Sequence, residues 1–299
     1  MKNDNVLKKN RGAKSFNTNS KVRSLDPLNA GVFNVYRLMA LRVKPQIVDN
    51  TLELETLPRV NQIDFGTEEK EQFIKAFKTI IKDGQFADLV SIHSDAFRNR
   101  IHTEFTDAET NQRFLPWHRV FVYELERRLN SAAEGNSIRI PYWDWTVHRE
   151  IPDWLEDFKP IIKNVAVFPS PPAAPVPVIR TIRVERRPGE DPRGVLPTKT
   201  RIDRVLSIRN NFREFTAALE GLHGGPHVWV GGTMATYVSP ADPIFWLHHA
   251  NIDRLWNLWP SSQSEVPNLQ GADAQMIPWS YRTDTDPIQD TKYFNYTYN

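Results

Sequence analysis

The stretch SPADPIFWLHHANIDRLWNLW (239–259) decides the architecture. Asp242 followed by Pro243 reads as an N-cap and a first-turn proline, whose missing N–H is one that a helix start leaves unbonded anyway. The run that follows is apolar on nearly every side, so the helix it predicts is buried in a bundle rather than laid on a surface. It must stop near Pro260. Inside it sit His248 and His249, and Asp253 lies one turn beyond His249 on the same face, placed to orient an imidazole by accepting a hydrogen bond.

Upstream, four more segments carry the 3.6-residue period. From Thr67, the apolar positions Phe73, Ile74, Phe77, Ile80 and Ile81 predict a helix that Gly84 ends. Phe86, Leu89, His93 and Phe97 share one face of a second. Trp117 to Glu134 predicts a third, and Arg201 to Leu222 a fourth. Between these last two lies PSPPAAPVP (169–177), too rich in proline for helix or central strand and read as an extended surface segment. Ile182 and Val184, alternating with charged neighbours, predict an edge strand. The expected fold is mainly α: an antiparallel four-helix bundle with long loops and minor β structure. Residues 56–299 are expected to form one core domain, preceded by a tail and extension over 1–55. Within that extension residues 1–25 read as a solvated basic tail, and 31–57 as a strand or short helix over the core.

Composition removes several function classes. The 299 residues hold no cysteine, which excludes disulfides, thiolate metal sites, iron–sulfur clusters and a cysteine nucleophile. With 38 Lys+Arg against 36 Asp+Glu, the formal charge of +2 gives no global case for nucleic acid as a partner. No apolar run approaches the roughly 18 residues of a membrane span, and the start lacks the apolar stretch of a signal peptide. A cytoplasmic protein is therefore expected, with export alongside another chain left open. Histidine is the reactive resource that remains.

Six of the eight histidines fall into two sets of three: His93, His102 and His118, then His223, His227 and His249. His102 lies nine residues after His93, half a turn out of phase on an unbroken helix, so the chain must break near residues 98–100 if the rings are to meet. His223 and His227 are four apart and can share one side of a turn, although Gly224, Gly225 and Pro226 between them predict a helix end there. One buried histidine is ordinarily a hydrogen-bonded core residue; six in two sets argue for metal. There is no HExxH helix, which removes the zinc-protease pattern, and there are not two Glu-x-x-His motifs, as a carboxylate-bridged di-iron bundle needs, which weakens that one. Triads of imidazole alone suit copper, with zinc as the alternative, and two of them on facing helices imply a binuclear site.

FLPWHR (114–119), IPYWDW (140–145), HGGPHVWVGG (223–232) and the opening stretch together resemble the tyrosinase/polyphenol oxidase family of type-3 copper proteins, in unbroken order from about Arg59 to the end. The likeness is to the bacterial branch, since there is no cysteine to form a thioether with the second histidine. The resemblance implies two copper ions, the first held by His93, His102 and His118 and the second by His223, His227 and His249, with O2 as co-substrate. It gives His248 no ligand role and leaves His148 outside the pattern. Tyr296 and Tyr298 are similar to the tyrosine pair that closes the family's core domain. Glu214 matches the glutamate that holds a water near the coppers, a role that needs a helix break before His223. Where strongly monophenol-active members carry Asn, this chain has Gly224, so hydroxylation of monophenols is put in doubt. Fifteen residues separate His102 from His118, about twice the gap of many members, which implies a looped-out insertion.

The implied activity is oxidation of o-diphenols to o-quinones, with a small phenolic substrate, no nucleic acid and no membrane span. Val228 is expected as an apolar wall of the pocket and Met234 to Ser239 as its roof. The alternatives are an o-aminophenol oxidase and a hemocyanin-like oxygen carrier.

Overall fold

The computed structural model describes residues 56–102, 110–133, 137–169, 176–259 and 267–299. The expected tail and extension, most of the insertion after His102, and most of the proline-rich stretch lie outside the described residues. The chain enters at β1 (Leu57–Arg59), followed by helices α1 (Thr67–Lys82) and α2 (Gln85–Ser94) and the single turn α3 (Ala96–Asn99). Next come α4 (Phe114–Ala132), the short α5 (Asp153–Glu156) and strands β2 (Ile161–Val167) and β3 (Val178–Arg183). Helices α6 (Lys199–Leu206), α7 (Phe212–Val230) and α8 (Pro243–Leu258) follow, and β4 (Tyr296–Tyr298) pairs in parallel with β1. The fold is thus mainly helical, with two small sheets. β2 and β3 pair antiparallel across a bulge between Ile162 and Val165, and β3 is the expected edge strand. Among the described residues no helix is long and apolar enough to cross a membrane.

Local chemistry explains most boundaries. Asp242 caps α8 by accepting from the Ile244 N–H at 3.0 Å, and Arg186 clasps both of its oxygens from outside. The Gly66 N–H donates to Glu69 at the start of α1, and left-handed Gly84 separates α1 from α2. Three expectations are corrected. The second helix stops at Ser94, so Phe97 is 46% exposed rather than on the buried face. The predicted helix over 201–222 is two helices, broken at 207–211 where Asn210 turns left-handed. The third correction concerns α7, which runs through Gly224, Gly225 and Pro226 to Val230 instead of ending there. Glycine suits this stretch because a Cβ on Gly225 would lie 2.3 Å from the Val195 carbonyl oxygen. Pro226 removes one ladder hydrogen bond without diverting the chain.

Helices α4 and α8 pack along their length, with Phe121 against Trp246 at 4.6 Å between ring centroids. Behind that contact a buried polar cluster closes the core. Asp253 of α8 accepts from Arg119 of α4, from Arg59 of β1 at 3.1 Å, and from the hydroxyls of Tyr296 and Tyr298 on β4. The Arg59 guanidinium also reaches Glu126 at 3.0 Å and lies 3.6 Å over the Tyr296 ring. Asp253 therefore does not orient an imidazole as its spacing had suggested: its oxygens are taken by two arginines and two tyrosines. Burial alone would raise its carboxyl, but Arg119 and Arg59 outweigh that and hold it below its ordinary value of 3.8.

Replacing Asp253 by Asn leaves the buried Arg119 guanidinium without a carboxylate and Arg59 with Glu126 alone, and is expected to cost about 3–5 kcal/mol, read as a lower urea midpoint at unchanged slope. A lowered native value means that the carboxylate stabilises fully above pH 3.8 and ceases to as pH falls through that lowered value. The gap between wild type and variant should narrow accordingly in acid.

Candidate metal centre

Helix phase brings the histidines together. His93 lies on α2; the chain then breaks at Asp95, passes α3 and turns left-handed at Arg100, which returns His102 to the same place. Arg113 holds this return by donating to the carbonyls of Asn99 and Arg100, both at 3.2 Å. The expected break is therefore present, beginning a few residues earlier than predicted. His118 comes from α4, His223 and His227 from α7, and His248 and His249 from α8. The nearest ring nitrogens of His93, His102 and His118 lie within 4.8 Å of one another, as do those of His223, His227, His248 and His249. The two groups adjoin, with the rings of His118 and His249 stacked at 4.3 Å.

Hydrogen bonds fix which nitrogen carries the proton in the rings of His93, His102, His118, His223 and His227. The Nδ1 atoms of His93, His118, His223 and His227 lie 2.7–2.9 Å from the carbonyls of Tyr237, Phe114, Glu220 and Met234. A carbonyl can only accept, so each ring is protonated on Nδ1 and presents a lone pair on Nε2. His102 is set the same way by the Glu220 carboxylate, 3.1 Å from its Nδ1. The Nε2 atoms of His93, His118 and His223 are buried without a hydrogen-bond partner, and those of His227 and His249 are 3.3 Å apart. Buried lone pairs gathered in this way are costly unless a cation collects them, and neutral imidazoles suit copper. The residues fit the metal. Burial first, and for most the crowding of neighbouring imidazoles, push His93, His118, His223 and His249 well below their ordinary 6.5; burial takes His227 down to about 4. All five are therefore neutral at pH 7.

His248 differs. The Trp145 indole N–H donates to its Nδ1 at 3.0 Å, so the neutral ring carries its proton on Nε2 and has no lone pair left to offer a metal. His148 joins neither group and lines a separate cavity with Lys70 and Trp154.

A cavity of about 720 Å³ opens onto both groups. Its walls include Gly224, Val228 and Met234, and Ala235, Thr236 and Tyr237 form an exposed rim. Glu214 is absent from it. No break interrupts α7 between Glu214 and His223, so Glu214 stays in the exposed first turn, where its N–H donates to the Asn211 side chain that caps the helix. The expected water-holding role for Glu214 is corrected on that ground. The carboxylate that does reach the cavity is Glu220, which sequence reasoning missed. Its position three residues before His223 on one helix face was the available signal.

His248→Gln is expected to retain two copper ions per chain after dialysis, and His227→Ala to retain one, as read from copper-to-protein ratios.

The model of the common central domain of tyrosinase matches residues 83–166 and 174–262. A tyrosinase of Streptomyces antibioticus is 32% identical over 272 residues, covering 80% of this chain and 98% of that protein. Among solved structures, a tyrosinase from Burkholderia thailandensis superposes with a TM-score of 0.59 at 19% identity, over 82% of this chain and 74% of the other. A copper-bound mutant of the active tyrosinase of Aspergillus oryzae, complexed with L-tyrosine, superposes at 0.55 and 19% identity over 82% and 92%. The last two show the fold; the domain match and the Streptomyces relative show the lineage. The chain belongs to the tyrosinase family, the binuclear copper oxidoreductases of phenols.

Proposed function

We propose that His93, His102 and His118 hold one copper ion, that His223, His227 and His249 hold the second, and that the pair oxidises o-diphenols to o-quinones with O2. The observation that carries this reading is the convergence of imidazole lone pairs on a cavity with an exposed rim. When bound, the copper pair supplies O2 binding and accepts the two electrons that the ring gives up. An oxygen carrier would need the site closed to phenols, and the exposed rim favours the oxidase over that alternative. The relative complexed with L-tyrosine supports a phenolic ring as ligand.

The chain's own residues position the ring and handle its protons. Val228 offers an apolar wall, and the buried Met234 holds His227 through its carbonyl. Glu220 is the one carboxylate lining the cavity among the described residues. It is therefore the group placed to receive a hydroxyl proton from the incoming diphenol, while its Oε1 keeps the His102 ring aligned. At Gly224 the helix presents no side chain, so no amide stands beside Glu220 to help deprotonate a monophenol. The reading is accordingly a diphenolase first, with weak monophenol hydroxylation.

A Cβ built on Gly224 meets nothing within 4 Å, so Gly224→Asn should fold normally. It is expected to raise tyramine hydroxylation by about tenfold or more, followed as oxygen uptake, while catechol oxidation changes little. Glu220→Gln should lower kcat on catechol by about 10²-fold with both coppers retained. A protein that binds two coppers and turns over neither catechol nor o-aminophenol would sink the oxidase reading.

A further inference from the structure

His248 and His249 are neighbours on α8, and ring nitrogens of both lie within 4.8 Å of those of His223 and His227. Proximity alone therefore offers the second copper four imidazoles, where the reading above uses three. The difference decides what the site can do. Three protein ligands leave a coordination position open to a reactant, and four close the site around the ion.

Hydrogen bonds assign most of these rings. The Nδ1 atoms of His93, His102, His118, His223 and His227 each face an acceptor, which leaves Nε2 free for a metal. His249 has no such acceptor, since its Nδ1 is buried without a hydrogen-bond partner. Nothing behind the His249 ring thus favours it over its neighbour. The choice is made at His248, whose Nδ1 faces a donor instead, the Trp145 indole N–H at 3.0 Å. An indole N–H can only donate, so it occupies the Nδ1 lone pair and confines the proton of the neutral ring to Nε2. Both nitrogens of His248 are then closed to a metal.

The turn around Trp145 keeps the fully buried indole in place. The Trp143 N–H donates to the Leu247 carbonyl at 3.0 Å, which ties this turn to α8 one residue before His248. Asp144 accepts from the N–H and the hydroxyl of Thr146, at 3.1 and 2.6 Å, and lies 3.6 Å from Arg254 of α8. The stretch IPYWDW (140–145) supplies no copper ligand, yet it seats a donor against the spare histidine.

We propose that Trp145 is a positioning residue that withholds His248 from the second copper, so that His249 alone completes the triad and one coordination position stays open. The proposal rests on the ligand assignment above and adds the residue that enforces it. Without the indole N–H, His248 offers a lone pair beside that of His249, and the site closes with four imidazoles.

The test begins with metal-free wild type labelled with 15N-histidine, in which long-range 1H–15N correlation reads the protonated nitrogen of each ring. His248, identified as the signal lost in His248→Gln, should carry its proton on Nε2. A proton on Nδ1 overturns the proposal before any tryptophan variant is made. Trp145→Phe then removes the donor and keeps an aromatic ring. With a fourth imidazole in place, release of one of the two coppers to EDTA should slow about tenfold, and kcat on catechol should fall about tenfold. The double variant Trp145→Phe with His248→Gln should return both values to those of wild type. Damage to packing alone would speed copper loss, and deleting a second buried side chain would not repair it. Release from Trp145→Phe as fast as from wild type or faster, or no rescue in the double variant, overturns the proposal. A wild type that retains fewer than two coppers overturns the ligand assignment instead.

Discussion

The clasp of Asp253 on Arg119 and Arg59 is the constraint on which the rest depends. Arg119 is the residue after His118, and Asp253 is one turn beyond His249. The ion pair therefore fixes the relative height of the two helices that carry those rings, and the rings stack face to face beside it. Its cost is the burial of three charges, which is tolerable because each finds opposite charge or an aromatic face, Arg119 lying 3.7 Å over the Trp256 ring. On the other side of the metal site from the clasp, Trp117, Phe121, Phe245 and Trp246 pack in sequence, and Phe245 lies against the rings of His93 and His249.

Around the histidines the protein supplies direction rather than charge. Four backbone carbonyls and one carboxylate each take an Nδ1–H, so the rings are oriented before any metal arrives. The same burial that keeps the rings neutral removes the proton that would compete with copper. Pre-set orientation matters most at His102, which follows an irregular turn. In a chain without cysteine, the hydrogen bond to Glu220 performs the restraint that a thioether gives elsewhere in the family.

Much of this was legible in the sequence because it is local. The cap at Asp242, the apolar circumference of α8 and the stops at Gly84 and Pro260 are short-range signals, and the two histidine sets follow from helix phase. What escaped was decided by partners distant in the chain. Asp253 carried the right spacing to serve His249, and only the fold shows that Arg59 and Tyr296 claim it. Gly224, Gly225 and Pro226 read as a helix end, yet packing against Val195 carries α7 through them. That continuity then moved the carboxylate role from Glu214 to Glu220, since nine residues of unbroken helix turn a side chain half a revolution away.

The parallel pairing of β1 with β4 makes the two ends of the core neighbours. Leu57 stands opposite Tyr296, and the Asn299 N–H reaches back to the Arg59 carbonyl at 3.5 Å. Paired strands run about 4.8 Å apart, but being parallel they begin at the same end, so a linker joining residue 299 to residue 57 need only return along three residues. The core is in this sense nearly a closed ring. It could be circularly permuted with new termini placed between His102 and Thr110, separating His93 and His102 from His118 in sequence while the Asp253 clasp still holds the helix of His118 against that of His249.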